Sequence, residues 1–277
     1  MSLFRKVFQK ALDLAQGEVK PLNTRPAQGK ADAGALKRTL DLLAANAFDL
    51  DKGSIDYGKL KTDPEYAQYQ AHAAALQSFD PRALPRAEQL AFWLNIYNAL
   101  TIDGVVAFGI KNSVREIPRL GFFRQAAYSI NGLIFSLEDI EHGILRHNQR
   151  HPAYPVPQFS QDDPRRSYVV SPFEPRVHFA LTCASRSCPP IAFYDGGKLE
   201  DQLKKATINF LTGGGCDVEG NIVSLSEIFD WYAGDFGGKE GTRRFISEHH
   251  PDTNIVRMLS GSSTELKYSP DNWDLNK

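Results

Sequence analysis

The side chains able to do chemistry gather in one stretch, Arg176 to Pro190, which reads R-V-H-F-A-L-T-C-A-S-R-S-C-P-P. It holds His178, Arg186, Cys183 and Cys188, with Thr182, Ser185 and Ser187 as hydroxyls. A thiolate nucleophile needs a base or cation to lower its pKa and donors for the oxyanion it creates. His178, Arg186 and the distant His142 are candidates for the first task, and backbone N–H groups of the Ala184 to Ser187 loop for the second. Val177 to Thr182 reads as a buried strand, and Pro189-Pro190 ends any regular element. On a regular strand His178 and Cys183, five apart, face opposite sides. Cys188, beyond the turn, is therefore favoured over Cys183 as nucleophile. Two other readings use the same residues. His178, Cys183, Cys188 and His142 are zinc-ligand types, though H-x4-C-x4-C is not a common zinc spacing. The cysteines also suit a non-catalytic binding module, as small buried apolar residues.

The element expected to position this stretch is a helix from Glu88 to Val106, E-Q-L-A-F-W-L-N-I-Y-N-A-L-T-I-D-G-V-V. It is apolar nearly all round, so it must be buried on most faces. Pro85 and Glu88 suit its first turn. Asn95, Asn98 and Asp103 interrupt the apolar surface, and buried amides without partners cost a few kcal/mol. Asn95 and Asn98 are expected to tie loop backbones to the helix. Tyr128 to Phe135 reads as a hairpin about Asn131-Gly132. Ser136-Leu137-Glu138-Asp139 reads as a capping box opening a helix that carries His142. Glu138 and His142, four apart, share a face, so His142 reads either as a general base whose pKa is raised by carboxylates or, equally, as a structural histidine bonded to a backbone carbonyl. Further helices are expected over Ala35–Ala47, Asp63–Gln77, Lys198–Thr212 and Thr242–His249. Arg119–Ala127 reads as a loop, Val218–Val223 as a hairpin, Ser224 and Glu227 as a second capping box, and Glu265–Tyr268 as a strand. Cys216 is an isolated thiol, and Trp273 is expected to anchor the tail.

At 277 residues, 42% hydrophobic and 23% charged, the chain can bury a core without staples. A formal net charge of −1 gives no pull toward nucleic acid or anionic membrane. No stretch is read as a membrane span. The first residues, M-S-L-F-R-K-V-F-Q-K-A-L-D-L, form an amphipathic helix interrupted by cations, which suits contact with the domain or a partner. Residues 1–50 are read as a helical arm and linker, with a turn and short strand over Asp49 to Tyr57, and 51–277 as one domain. Three cysteines make no disulfide framework, and unpaired cysteines with this start point to the cytoplasm. A chain that has lost a signal peptide fits the same observations.

Three motifs carry a resemblance. Glu88–Leu100 (EQLAFWLNIYNAL), Phe135–Arg146 (FSLEDIEHGILR) and His178–Pro190 (HFALTCASRSCPP) resemble the domain-of-unknown-function 547 family, and Ser224–Asp235 and the Asp271–Asn276 tail fit it too. The resemblance runs from about residue 54 to the C-terminus. It implies single bacterial domains and, in other members, neighbours that are coiled-coil or glutaredoxin-like; it assigns no activity. Together these readings give an α+β fold: a single helix-rich domain with a small, mainly antiparallel sheet on a long buried helix, comparable to papain-like or transglutaminase-like folds. Those enzymes carry cysteine at that helix's start, where this chain has Glu88 and Gln89. The function expected is a thiol-dependent hydrolase or acyl or peptidyl transferase acting on a small molecule or peptide. Cys188, His178, Cys183, His142 and Arg186 are its catalytic candidates, and Asn95, Asn98, Glu88, Glu138 and Ser187 support them. No cofactor is expected.

Overall fold

A computed structural model describes residues 3–27, 29–49, 53–261 and 264–277. Ten α-helices are described: α1 Leu3–Gln16, α2 Ala33–Ala47, α3 Tyr57–Thr62, α4 Pro64–Ala75, α5 Arg86–Phe108, α6 Gly121–Gln125, α7 Leu199–Phe210, α8 Ile228–Trp231, α9 Gly238–His249 and α10 Thr253–Ser260. The strands are β1 Lys20–Pro21, β2 Phe48–Asp49, β3 Ser54–Ile55, β4 Ala126–Ile130, β5 Leu133–Ser136, β6 Cys216–Glu219, β7 Ile222–Ser226 and β8 Glu265–Ser269. They form three small sheets, ordered β1-β4-β5, β2-β3 and β6-β7-β8. The β4-β5 and β6-β7 hairpins are antiparallel, while β1 joins β4 and β8 joins β7 in parallel. The fold is thus α+β and helix-rich, with mixed sheets in place of one mainly antiparallel sheet.

α5 organises the larger core. Leu90 through Val105 are all buried along it, because no face of the sequence is polar enough to meet water. By length and composition α5 would reach across a bilayer, contrary to the expectation that no stretch would, but 89% of its apolar window is buried inside the fold. Leu36, Leu40 and Leu43 of α2 lie in the same core, so that core runs across the boundary placed at residue 50. The residues 50–52 of the turn expected near there lie outside the described ones, as do the side chains of Leu3, Phe4 and Phe8 on the first helix. A second core gathers Phe210, Phe229, Phe236, Phe245 and Ile246 between α7, α9 and the third sheet.

Asn95, Asn98 and Asp103 of α5 all find partners. Asp103 accepts from Tyr66 and Tyr128 hydroxyls. Asn95 donates to Tyr194 O at 2.8 Å and accepts from Tyr194 N at 2.6 Å. Asn98 donates to Ala180 O and Ala192 O at 2.9 and 3.0 Å and accepts from Thr182 N at 2.9 Å. The two amides therefore clamp both ends of the loop that carries the cysteines. Asn98→Leu orphans the buried Ala180 O and Thr182 N and the part-buried Ala192 O, so it is expected to destabilise by about 3 kcal/mol in urea unfolding. A loss under about 1 kcal/mol would contradict the clamp.

Three local readings are corrected, and the capping box at Ser136 is found on a wider helix. Pro175–Phe179 is a 3-10 turn, capped by the Glu174 carboxylate, where a strand was expected over Val177–Thr182. Its Val177 enters the larger core and Phe179 the second, which the period of a strand would not allow. The Arg119–Ala127 stretch is not a loop: after a turn with Arg119 left-handed it forms α6 and the start of β4. Ser224 lies inside β7, and Ser226 caps the following turn through Ile228 N. The helix after Ser136 is wide, of π type over Asp139–Leu145, with Ser136 Oγ and Asp139 exchanging the capping hydrogen bonds.

Candidate active site between the two cores

A cavity of about 460 Å³ opens between the two cores. Trp231, Trp273, Phe123, Leu181 and Ile228 supply apolar wall, and His178, His142, His151, Glu138 and Glu141 supply polar groups. Cys183 and Cys188 line it as well. Arg115 lies over the Trp273 ring, 4.2 Å from its centre, and the indole meets Trp231 and Phe123, which is how the tail is anchored.

His178 sits between its two core-bound neighbours and stacks on Tyr232, ring centres 4.2 Å apart. Its Nε2 is 2.8 Å from Asp235 Oδ2. Arg146 grips the same carboxylate with Nε and Nη2, at 2.5 and 3.0 Å. Burial works to raise the Asp235 carboxyl, but the hydrogen bonds from His178 and Arg146 outweigh it and hold it below the usual range. Asp235 is then an acceptor only, so Nε2 of His178 carries the proton and Nδ1 is the lone-pair nitrogen. Burial holds His178 below the usual imidazole value, against the pull of Asp235, so the ring is neutral and able to accept a proton.

His142 has the opposite role. Arg146 Nη1 lies 2.8 Å from His142 Nδ1, and a guanidinium only donates. His142 Nδ1 must accept, leaving Nε2–H as a donor. Burial, then the charges of His151 and Arg146, push the ring well below its ordinary pKa. The expected general base with a raised pKa is therefore a neutral hydrogen-bond donor. Glu141 has both oxygens bound by hydroxyls, Tyr232 at 2.7 Å and Tyr97 at 2.9 Å. Glu138 is buried with Oε1 unpartnered, and burial, only partly offset by Arg124, raises it to about 8. Burial likewise lowers His151 to about 4.

Cys183 and Cys188 are joined as a disulfide, Cα atoms 5.9 Å apart. This corrects the reading of unpaired thiols and removes the ground for placing the chain in a reducing compartment. It also removes both thiolates from the zinc reading, and among the described residues no group of three or more His, Cys, Asp or Glu is placed to hold a metal. Cys183 N donates to Cys188 Sγ at 3.0 Å. The Ser185 hydroxyl lies 3.1 Å from Cys183 Sγ and 3.4 Å from Cys188 Sγ. Ala184 takes a left-handed φ of 61° to make this turn, a conformation that costs an alanine about 1–2 kcal/mol. The chain tail holds it there, through Asn276 N to Ala184 O and Arg186 N to Asp274 O. Three of the four N–H groups expected to form an oxyanion hole are consequently engaged: those of Ala184, Arg186 and Ser187 bond to Thr182, Asp274 and Asn272.

Of the residues singled out from sequence, Cys188, Cys183, His178, His142 and Glu138 meet in this cavity. Arg186 and Ser187 line a second, adjoining cavity. Asn95 and Asn98 act from behind, as clamps. Glu88 is remote, packed against Gly196, where a β-carbon would collide with its carboxyl. Asp235, Arg146, Glu141, Tyr97, Tyr232 and His151 were missed. Arg146 was in view as the residue four beyond His142; Asp235 comes from a turn 57 positions after His178 and had no local signal.

Residues 81–211 match the family described as protein of unknown function, DUF547. This is the family that the three motifs resemble. No curated protein and no solved structure matches the chain. The DUF547 segment supplies the disulfide, His178 and the Glu138–Arg146 helix, while Asp235, Tyr232, Trp231 and Trp273 come from beyond it. The cavity is therefore completed by chain outside the DUF547 match.

Proposed function

We propose that the protein is a thiol-dependent hydrolase or acyl or peptidyl transferase whose nucleophile, Cys188, is released when the Cys183–Cys188 disulfide is reduced. One observation carries the reading: the cysteine pair lines the same cavity as His178, which is hydrogen-bonded to Asp235 behind it. In the reduced form, Cys183 N–H and the Ser185 hydroxyl are placed to stabilise a Cys188 thiolate. His178 Nδ1 takes the thiol proton, and Asp235 holds the ring's tautomer and stabilises the imidazolium. The thiolate adds to the carbonyl carbon of an ester or amide. The carbonyl oxygen's charge meets donors already in the cavity, His142 Nε2–H and the protonated Glu138. His178 returns its proton to the leaving alcohol or amine as the carbon–oxygen or carbon–nitrogen bond breaks, leaving an acyl-cysteine. Water or an acceptor amine then releases the acyl group. The aromatic and aliphatic wall suits an apolar acyl group.

The disulfide favours a second reading, a binding module with structural cysteines, because neither sulfur is a free thiol as the structure stands. The two separate on p-nitrophenyl acyl esters. Reduced protein should release a burst of nitrophenolate equal to its Cys188, absent from oxidised protein and from Cys188→Ser. His178→Ala should slow the burst by about 10²–10⁴-fold. Reduced protein that is never acylated would favour the binding module.

A further inference from the structure

A second cavity of about 750 Å³ adjoins the first, and Cys188 lines both cavities whereas Cys183 and His178 line only the first. The second cavity is more polar than the first. Asn209, Ser187 and Ser269 are on its wall, and Arg186 stands exposed there. The Arg186 guanidinium is bonded to none of the described residues; only its backbone is fixed, by Asp274. Lys277 also lines this wall, with its ammonium bonded away to Lys111 O at 2.5 Å, so Arg186 is the cation available there. The carboxyl of Asp271, on the wall of both cavities, is raised to about 6 by burial and by the charge of Glu227, so it stays mainly ionised at neutral pH and is a counter-charge that Arg186 must outweigh.

From this we infer that the second cavity is a docking site for a small thiol bearing a carboxylate, which reduces the disulfide by attacking Cys188. The inference rests on the proposal that the reduced protein is the active form. The thiolate of the small molecule bonds to Cys188 Sγ, the Sγ–Sγ bond breaks, and its electron pair leaves on Cys183, where the Ser185 hydroxyl is 3.1 Å away to stabilise it. A second molecule of the thiol attacks the small molecule's sulfur in the mixed disulfide. Cys188 then leaves as a thiolate facing the Cys183 N–H, and one small-molecule disulfide is produced for two thiols consumed. Access decides which sulfur is attacked: a thiol arriving through this cavity meets Cys188 and not Cys183. Arg186 holds the carboxylate and thereby favours anionic thiols.

Three monothiols of similar size test this: 3-mercaptopropionate, 2-mercaptoethanol and cysteamine, anionic, neutral and cationic. Reduction of the protein disulfide is followed at matched thiolate concentration and divided by the rate on an unstructured C-x4-C disulfide peptide. The anionic thiol should be preferred over the cationic one by about tenfold at low salt, and the preference should shrink at 1 M salt. Arg186→Glu, at an exposed position, should reverse the order. Trypsin cuts after Arg186, between the two cysteines, so mass spectrometry assigns the trapped mixed disulfide in the natural chain. It should be on Cys188. Equal normalised rates, an order unchanged by Arg186→Glu, or a mixed disulfide on Cys183 would each overturn the inference. Failure of the reduced protein to turn over esters would instead count against the hydrolase reading alone, since the exchange rates do not depend on it.

Discussion

Asp235→Leu is expected to destabilise the protein by about 3–5 kcal/mol, because it leaves the buried Arg146 guanidinium without its carboxylate. His178 loses its partner in the same change. The size of the effect comes from the uncompensated charge, not from the net strength of the pair, so removing both partners should cost far less. Arg146→Met combined with Asp235→Leu should recover most of the loss. Urea unfolding at pH 7 on the oxidised protein measures all three chains. A single variant within about 1 kcal/mol of the natural chain, or a double variant worse than the single, would show that Asp235 does not hold this network together.

Glu138 sets the second large effect. Its carboxyl is raised from 4.5 to about 8, chiefly by burial. The folded protein therefore keeps a proton that the unfolded chain has already released over this interval. A raised folded pKa contributes stability that is complete below about 4.5 and lost as pH rises through about 8, at about 1.4 kcal/mol per pH unit. The buried histidines have the opposite sign: their folded values are lowered, His151 to about 4. Their contribution is complete above about 6.5 and lost as the pH falls. Between about pH 6.5 and 8 the Glu138 effect stands alone among these groups. Stability of the oxidised protein should fall there by about 2 kcal/mol, and Glu138→Gln should flatten that limb while leaving the acid limb in place. An alkaline limb unchanged in the variant would mean that Glu138 is ionised in the fold at neutral pH.

What the sequence revealed follows from where the signal was local. α5, the two hairpins and the amide clamps could be read because apolar periodicity, Asn131-Gly132 and buried Asn95 and Asn98 each constrain structure within a few residues. The Val177–Thr182 stretch misled because a short apolar run fits a strand or a buried turn equally. Pro175 after the capping Glu174 tipped it to the turn. On the turn, His178 and Cys183 are not forced to opposite sides, and both line the same cavity. The disulfide between residues five apart depends on the left-handed Ala184, which no local pattern announced. The inverted role of His142 depends on which nitrogen Arg146 reaches, and that is a matter of side-chain geometry on a π-type turn.

The thiol account stands most directly on the reactivity of Cys188 after reduction. The rate of alkylation by iodoacetamide is measured against pH on protein reduced beforehand, with each cysteine assigned by peptide mass spectrometry. Cys188 should titrate with a midpoint below about 7.5, against about 8.5 for a free thiol, and His178→Ala should raise that midpoint or slow the reaction. Cys216, buried and pushed up to about 12, first by burial and then by Asp217, is the internal control and should remain unmodified. A Cys188 that titrates like a free thiol, or that is indifferent to His178, would contradict a thiolate site and leave the cavity as a place that binds without reacting.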